Sequence, residues 1–404
     1  MKEGGKKLLK INLVEIKKYL LAIWIILLSG VWTINLPSLL IVGINFILLF
    51  FFLIKMISQY KIIKGMNYLI IIILLLLSAF ITNSDYSAWM SYTFILSYCV
   101  IALYISNYWK KGEFLNKYSN IILIICFISI VMYSFRGVLV NHQSGFPIVQ
   151  GKSISYTNFY IYLYCRELPD RNCAIFWEPG AFAVFIGIAL YNTLITDKKN
   201  KYYRLIVYFI AMLTTYSTLA YILMLFALLM FVMKKKKNNM VSRTAISIII
   251  VLIILLIMNE LGVYQNIQDK LFEGLNTNTS SKARNIGQMI DMKIIQTSPV
   301  FGVGFSRYSE LVPYIGMLLG EKWTVAANTF TYTGALFGLI YLLIILRGII
   351  KFCKNDKNAF FILVSIIYMV WLFTTQNFVE KPILYCLIFL GFTNTAFEYK
   401  GGGI

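Results

Sequence analysis

The chain has 404 residues, 59% of them hydrophobic and 13% charged, and a formal net charge of +20. A composition this apolar excludes an ordinary soluble globule. The excess of positive charge would suit nucleic acid or a membrane, and its placement along the chain decides between them.

Apolar runs of bilayer-crossing length recur from one end of the chain to the other, and a helix needs about 20 such residues to cross. Spans are expected near 19–35, 38–57, 66–82, 87–107, 118–140, 180–196, 202–216, 218–233, 244–259, 325–346, 358–377 and 382–398. The first run is not followed by a small-residue cleavage site, so it reads as an uncleaved span. With about twelve spans and a cytoplasmic N-terminus, the inner segments hold 26 Lys and Arg against 6 acids, and the outer segments 11 against 11. The whole excess then lies on one face, as the positive-inside rule expects. The Lys234–Lys237 run becomes an inner-loop anchor, and no nucleic-acid partner is expected. The expected fold class is an all-α integral membrane protein, a single polytopic domain over 1–404 with both termini cytoplasmic.

All seven prolines fall at outer loops or outer helix ends. The long loops, 136–177 and 260–324, are also outer, so the irregular backbone that builds sites faces outward. Several chemistries are absent. There is no Asp-x-Asp to grip a nucleotide sugar through a metal, no phosphate loop and no Gly-x-Ser-x-Gly elbow. Phe301–Phe305, "FGVGF", lacks the third glycine and preceding strand of a dinucleotide fingerprint. One histidine, His142, and no Cys/His cluster argue against zinc. The spans carry almost no internal charge, which disfavours a pump, symporter or lipid-oligosaccharide flippase. Of six cysteines, Cys99, Cys126, Cys353 and Cys386 lie in or beside spans, whereas Cys165 and Cys173 share an outer loop and could either pair or stay free.

Arginine is distributed unevenly. Inner segments hold 23 Lys and 3 Arg, while outer segments hold 6 Lys and 5 Arg, namely Arg136, Arg166, Arg171, Arg284 and Arg307. A planar guanidinium fork suits phosphate oxygens held in a fixed direction. The alternative is structural pairing with acids such as Asp170, Asp291 and Glu310. In the second long loop, Ser280 or Ser281 can cap a helix that Pro299 stops, giving a surface helix over about 281–297. Ile286, Met289, Ile290 and Ile294 make its expected apolar stripe, with Arg284, Gln288 and Asp291 on the opposite face. The "FGVGF" turn then brings Arg307 back toward the site.

The first long loop is dense in aromatics: Tyr156, Phe159, Tyr160, Tyr162, Tyr164 and Trp177. They suit either sugar rings or an interfacial belt. "FWEPGAFAVF", from Phe176, ends that loop. Pro179 suits the first helical position, which makes Glu178 the natural cap at the positive end of the helix dipole. The same carboxylate, one loop from Arg166 and Arg171, could accept a proton from a sugar hydroxyl.

Four segments come in a set order: "RNCAIFWEPGAFAVFIGIAL" from Arg171, "TTYSTLAYILMLFALLMF" from Thr214, "ARNIGQMIDMKIIQTSPVFGVGF" from Ala283 and "ANTFTYTGALFGLIYL" from Ala327. Together, over about residues 171–345, they resemble the Wzy-type polysaccharide polymerases and O-antigen ligases of bacteria. The resemblance implies a C-type glycosyltransferase fold in the cytoplasmic membrane. It implies a polyprenyl-diphosphate oligosaccharide as donor and acceptor, membrane lipid as surroundings, and a chain-length regulator and flippase as partners. It implies no cofactor, because lipid diphosphate is already an activated leaving group. Glu178 and Arg284 would be catalytic, and Arg136, Arg166, Arg171, Arg307, Tyr160, Trp177 and Asn328 would bind substrate. Ligases of this family usually carry a histidine beside that asparagine. Here Ala327 precedes Asn328, which favours polymerase over ligase.

Overall fold

The computed structural model describes residues 13–31, 37–58, 63–150, 155–196, 201–233, 252, 279–319, 328–354 and 358–397. Among these are 14 α-helices. In chain order they are α1 (Leu13–Leu28), α2 (Ser38–Ser58), α3 (Met66–Thr82), α4 (Trp89–Tyr108), α5 (Glu113–Ser134), α6 (Arg136–Asn141), α7 (Pro179–Ile195), α8 (Lys201–Thr214), α9 (Thr218–Met233), α10 (Thr279–Thr297), α11 (Gly304–Leu318), α12 (Thr329–Cys353), α13 (Ala359–Thr374) and α14 (Pro382–Thr393). Four helical stretches are long and apolar enough to cross a membrane: Leu39–Ser58, Tyr86–Tyr108, Glu113–Ser134 and Thr329–Cys353. Five shorter apolar helices accompany them. Large apolar side chains stay exposed along α2, α3 and α5, among them Ile47, Phe50, Leu74, Ile124 and Phe127. Water would penalise such surfaces, whereas lipid solvates them. The chain has the make-up of a multi-pass membrane protein.

Every expected span meets a helix except 244–259, which lies outside the described residues apart from Leu252. The parts 260–278 and 320–324 of the second long loop lie outside them too. The expected span 118–140 ends earlier, at Ser134, and α6 follows it. Its apolar run stops at Arg136, whose guanidinium lies 4.5 Å from the Tyr133 ring and 3.5 Å from Asp170.

The all-α expectation needs one amendment. The 136–177 segment contains a three-stranded antiparallel sheet, β1 (Ile148–Gln150), β2 (Ser155–Asn158) and β3 (Leu163–Cys165), in the order β1-β2-β3. Tyr156 stands opposite Cys165, and Asn158 opposite Leu163. The Asn158 side chain accepts from the Tyr160 amide at 2.8 Å, which closes the β2–β3 turn while Tyr160 adopts φ 64°. The sheet uses the loop aromatics as its own core. Tyr156, Phe159, Tyr162 and Tyr164 are buried, and Tyr160 alone of the five stays exposed. The four buried rings therefore serve neither as a sugar-facing surface nor as an interfacial belt. Cys165 and Cys173 are buried in the same small cluster as free thiols, and the Cys173 thiol donates to the Leu163 carbonyl.

α7 runs through the centre of the bundle, buried from Ala181 to Leu194. Its carbonyls receive additional donors from neighbouring helices. Tyr118 donates to Phe185 O at 3.0 Å and Tyr368 to Gly187 O at 2.8 Å. α14 is likewise buried along its length.

α12 is broken. Gly338 has φ 80° and ψ 173°, a region open essentially to glycine alone. The turn that precedes α11 fits into that break. Val303 N donates to Ala335 O at 2.9 Å, and Leu339 N donates to Pro299 O at 2.8 Å. Gly302, at φ 70°, completes the turn. A Cβ on Gly302 would overlap the Leu336 backbone, and one on Gly338 would overlap the Val300 carbonyl.

This arrangement sets one expected outcome. Gly338→Ala should destabilise by at least about 2 kcal/mol, from φ/ψ strain together with the clash. Gly43→Ala, in α2 where an added Cβ meets nothing within 4 Å, should be neutral or stabilise by up to about 1 kcal/mol. Thermal melting of detergent-purified protein separates the two, and equal melting temperatures would count against the interlocked break.

Candidate functional site

The two ends of the bundle differ in kind. At one end, Lys18 pairs with Glu113 at 2.7 Å, Lys117 pairs with Glu15, and Gly112 N donates to Thr395 O at 2.9 Å. At the other end the loops before α4, α7, α9, α11 and α14 converge with the start of α12. Asp85, just ahead of α4, is fully buried there. It accepts from Phe305 N at 2.6 Å, Ser306 N at 2.9 Å and Tyr92 OH at 2.7 Å, and from the Ser306 hydroxyl. A carboxylate from a distant loop thus satisfies the first amides of α11.

Glu178 stands at this end, at the mouth of α7. Its backbone is extended, with φ −163° and ψ 159°, and Pro179 begins the helix. The side chain occupies the N-cap position but makes no capping hydrogen bond. It accepts instead from the side-chain amide of Gln376, in the α13–α14 loop. A Cβ on Gly180 would lie 3.3 Å from Glu178 Oε1 and 3.2 Å from Gln376 Nε2, so a small residue belongs beside the pair. The Thr329 hydroxyl donates to Gln376 O at 2.6 Å and accepts from Phe378 N at 3.0 Å. The start of α12, the α13–α14 loop and the mouth of α7 are thereby tied together.

Arg171 is fixed by backbone acceptors. Its guanidinium donates to Tyr216 O at 2.9 Å and to Thr215 O at 3.4 Å. Tyr216 holds φ 47° in the break between α8 and α9. Burial lowers the Arg171 pKa from its ordinary value. Glu178 and Cys165 oppose that shift and Arg284 adds to it, which places Arg171 within electrostatic reach of Glu178 and Arg284. An arginine remains protonated in any such setting. Arg284, near the start of α10, is exposed.

The other expected site residues are more dispersed. Arg136 pairs with Asp170, as the structural reading of an outer arginine allows. Arg166 and Arg307 are exposed and have no carboxylate within 4.0 Å among the described residues. Tyr160 is exposed at the sheet turn. The Asn328 side chain caps α12 by accepting from Phe330 N at 2.9 Å. Trp177 packs against Phe185 and Phe378, with the Lys381 ammonium 5.5 Å from its ring. Sequence reasoning missed Asp85 and Gln376. A polar stretch, "TTQNFVEK", between two apolar runs was the available signal for Gln376.

The surface helix appears as α10, with a different buried face from the one expected. Gly287, Ile290, Asp291 and Ile294 turn inward, while Met289 is 53% exposed. Asp291 therefore does not share the Arg284 face, and among the described residues it pairs with no arginine. It accepts from Tyr308 OH at 2.8 Å and Thr331 Oγ1 at 2.7 Å, contacts that join α10 to α11 and α12. Burial raises its pKa from 3.8 to about 6, against the lowering effect of those two hydrogen bonds.

This end can hold an anion near Arg171 and Arg284 while presenting the Glu178 carboxylate, oriented by an amide donor, to a hydroxyl. Compared with known proteins, the chain matches no family model, no curated protein and no solved structure.

Asp291 carries a pH prediction. Its folded pKa lies above its unfolded value, so the folded state binds the extra proton. That contribution is fully present below about pH 4 and is lost as pH rises through about 6. The loss should reach on the order of 3 kcal/mol by pH 7. Melting temperatures of wild type and Asp291→Asn, compared from pH 4 to 7.5, should diverge with pH, the variant gaining relative to wild type. Parallel curves would refute the assignment.

Proposed function

We propose that the protein is a glycosyltransferase that joins polyprenyl-diphosphate-linked oligosaccharide repeat units into a surface polysaccharide. It would act at the outer face of the bacterial cytoplasmic membrane. One observation carries this reading: at the end of the bundle where the polar loops converge, Arg171 is held by the Thr215 and Tyr216 carbonyls and the Glu178 carboxylate by Gln376, with Glu178 and Arg284 both close enough to act on the Arg171 charge. Like charges brought together without a carboxylate partner within 4.0 Å, among the described residues, favour an anionic ligand. The resemblance over residues 171–345 covers polymerases and ligases alike, and Ala327 in place of a histidine beside Asn328 favours a polymerase over a ligase. A flippase and a chain-length regulator are its proposed partners.

In this mechanism the acceptor hydroxyl oxygen attacks the anomeric carbon of the donor. The bond from that carbon to the diphosphate oxygen breaks, and the electron pair leaves on the lipid diphosphate. Glu178 takes the hydroxyl proton, with Gln376 orienting its carboxylate. Arg284 and Arg171 stabilise the charge that grows on the leaving diphosphate. Arg171 is already held by two carbonyls, so little reorganisation accompanies that step.

The experiment supplies purified protein with lipid-diphosphate repeat units and no nucleotide sugar. Longer lipid-linked chains are expected. Arg284→Ala should lower the rate on the order of 100-fold, by analogy with removing one transition-state donor. Glu178→Gln keeps the side chain's length and should accumulate normally, since Glu178 makes no cap bond, yet turn over poorly. Full activity in both variants, at equal abundance, would eliminate the proposed roles. Transfer to a different acceptor without elongation would identify a ligase instead.

A further inference from the structure

A separate cavity of about 300 Å³ lies at the same end of the molecule, beside Trp177. Its walls are largely apolar, with Leu27 and Leu28 from the end of α1, Ile41 from α2 and Phe94 from α4, and Ser91 and Tyr98 of α4 add hydroxyl-bearing side chains. Glu380 and Lys381, just before α14, supply its charged groups. Gly30 also lines it, and a Cβ there would overlap the Trp177 ring, so Trp177 packs directly against the cavity wall.

The two charged groups are not equivalent. The Glu380 carboxylate is engaged by Tyr332 OH at 3.1 Å. The Lys381 ammonium has no carboxylate within 4.0 Å among the described residues and lies 5.5 Å from the Trp177 ring. Burial lowers the Lys381 pKa, with Glu380 opposing. An ammonium facing an apolar cavity pays for lost hydration unless an anion or hydrogen-bond acceptor joins it. The α2 wall also leads outward. Ile41 lines the cavity, while Leu39 and Leu40 beside it are 81% and 44% exposed. The apolar wall is thus continuous with the surface that lipid would cover.

We propose that this cavity holds the headgroup of a phosphate-bearing lipid, with Lys381 on the phosphate and the lipid chain lying against α1, α2 and α4. The size matches small-ligand sites, which start at about 300 Å³. Free phosphate would satisfy the ammonium but leave the apolar wall unused, so a lipid is the fitting occupant. Such a site would exist whether or not Glu178 and the arginines carry out glycosyl transfer.

The test measures binding of geranylgeranyl phosphate to the full chain in detergent by native mass spectrometry. It is done in an Arg284→Ala background, so that the arginine site contributes less. Geranylgeraniol and inorganic phosphate are the comparison ligands. Lys381→Gln should weaken binding of the lipid phosphate about tenfold or more, the value of a hydrogen bond to a charged group. Lys381→Arg should retain it. Ser91→Phe, which fills the cavity without touching the charge, should weaken it as well. If Lys381→Gln does not fold, Ser91→Phe and the ligand comparison still decide. Unchanged binding in Lys381→Gln or Ser91→Phe would overturn the site. Equal binding of the alcohol would reduce it to an apolar groove, and equal binding of inorganic phosphate would make it a simple anion site. Either result also overturns the proposal.

Discussion

The break in α12 and the turn before α11 complete each other, and the polar end of the molecule is built on that exchange. A helix interrupted at Gly338 leaves backbone groups without helical partners, and in a low-dielectric setting each costs several kcal/mol if nothing answers it. The 299–303 turn answers two of them, through Val303 N to Ala335 O and Leu339 N to Pro299 O. The turn is fixed by the same bonds. With it are fixed the end of α10 and the start of α11, and so the ground from which Arg284 and Arg307 project. Asp85 secures the other side by accepting the first amides of α11. Segments far apart in the chain are locked by backbone geometry before any side chain of the site is considered.

Glu178 illustrates what such locking releases. A carboxylate at an N-cap normally spends its oxygens on the helix amides. Here Pro179 removes one amide donor and sets the entry angle of α7. The surrounding bundle, which buries the helix along its length, supplies the rest of the stability. The side chain is therefore turned to Gln376. Arg171 follows a related logic. Its fork is held by main-chain oxygens, which fix its position without neutralising its charge.

The nine apolar helices among the described residues were legible because sustained hydropathy is a strong signal, four of them long enough to cross a membrane. α10 was legible from its helical spacing and the proline beyond its end, although it begins at Thr279, so Ser280 and Ser281 lie inside it and not at its cap. Its phase was not. Stripes through 286, 289, 290 and 294 or through 287, 290, 291 and 294 both satisfy helical spacing. Only the second places Asp291 against Tyr308 and Thr331, hydroxyls supplied by other helices. The short strands were equally hidden, since three or four residues of alternation cannot be told from a polar loop. The loop aromatics misled for a related reason: tyrosine content does not say which face is outside until the sheet exists. Of the candidate site, Arg171, Glu178 and Arg284 could be named from local sequence. Gln376 stood in a polar stretch between two apolar runs, but its role was hidden because its partner is 198 residues away.

The two ends of the bundle treat charge differently, and that difference constrains what the polar end can do. At the opposite end lysines meet glutamates, Lys18 with Glu113 and Lys117 with Glu15. At the polar end several carboxylates are satisfied by neutral donors: Asp85 by amides and hydroxyls, Asp291 by two hydroxyls, Glu178 by an amide, Glu380 by a phenol. Carboxylates satisfied in this way do not neutralise the neighbouring cations. Arg171, Arg284, Arg307 and Lys381 have no carboxylate within 4.0 Å among the described residues, while Arg136 pairs with Asp170. Where burial also weakens hydration, as at Arg171 and Lys381, a cation kept apart from the chain's own acids favours an anion from outside it. Neutral donors at the acids are what preserve that positive field.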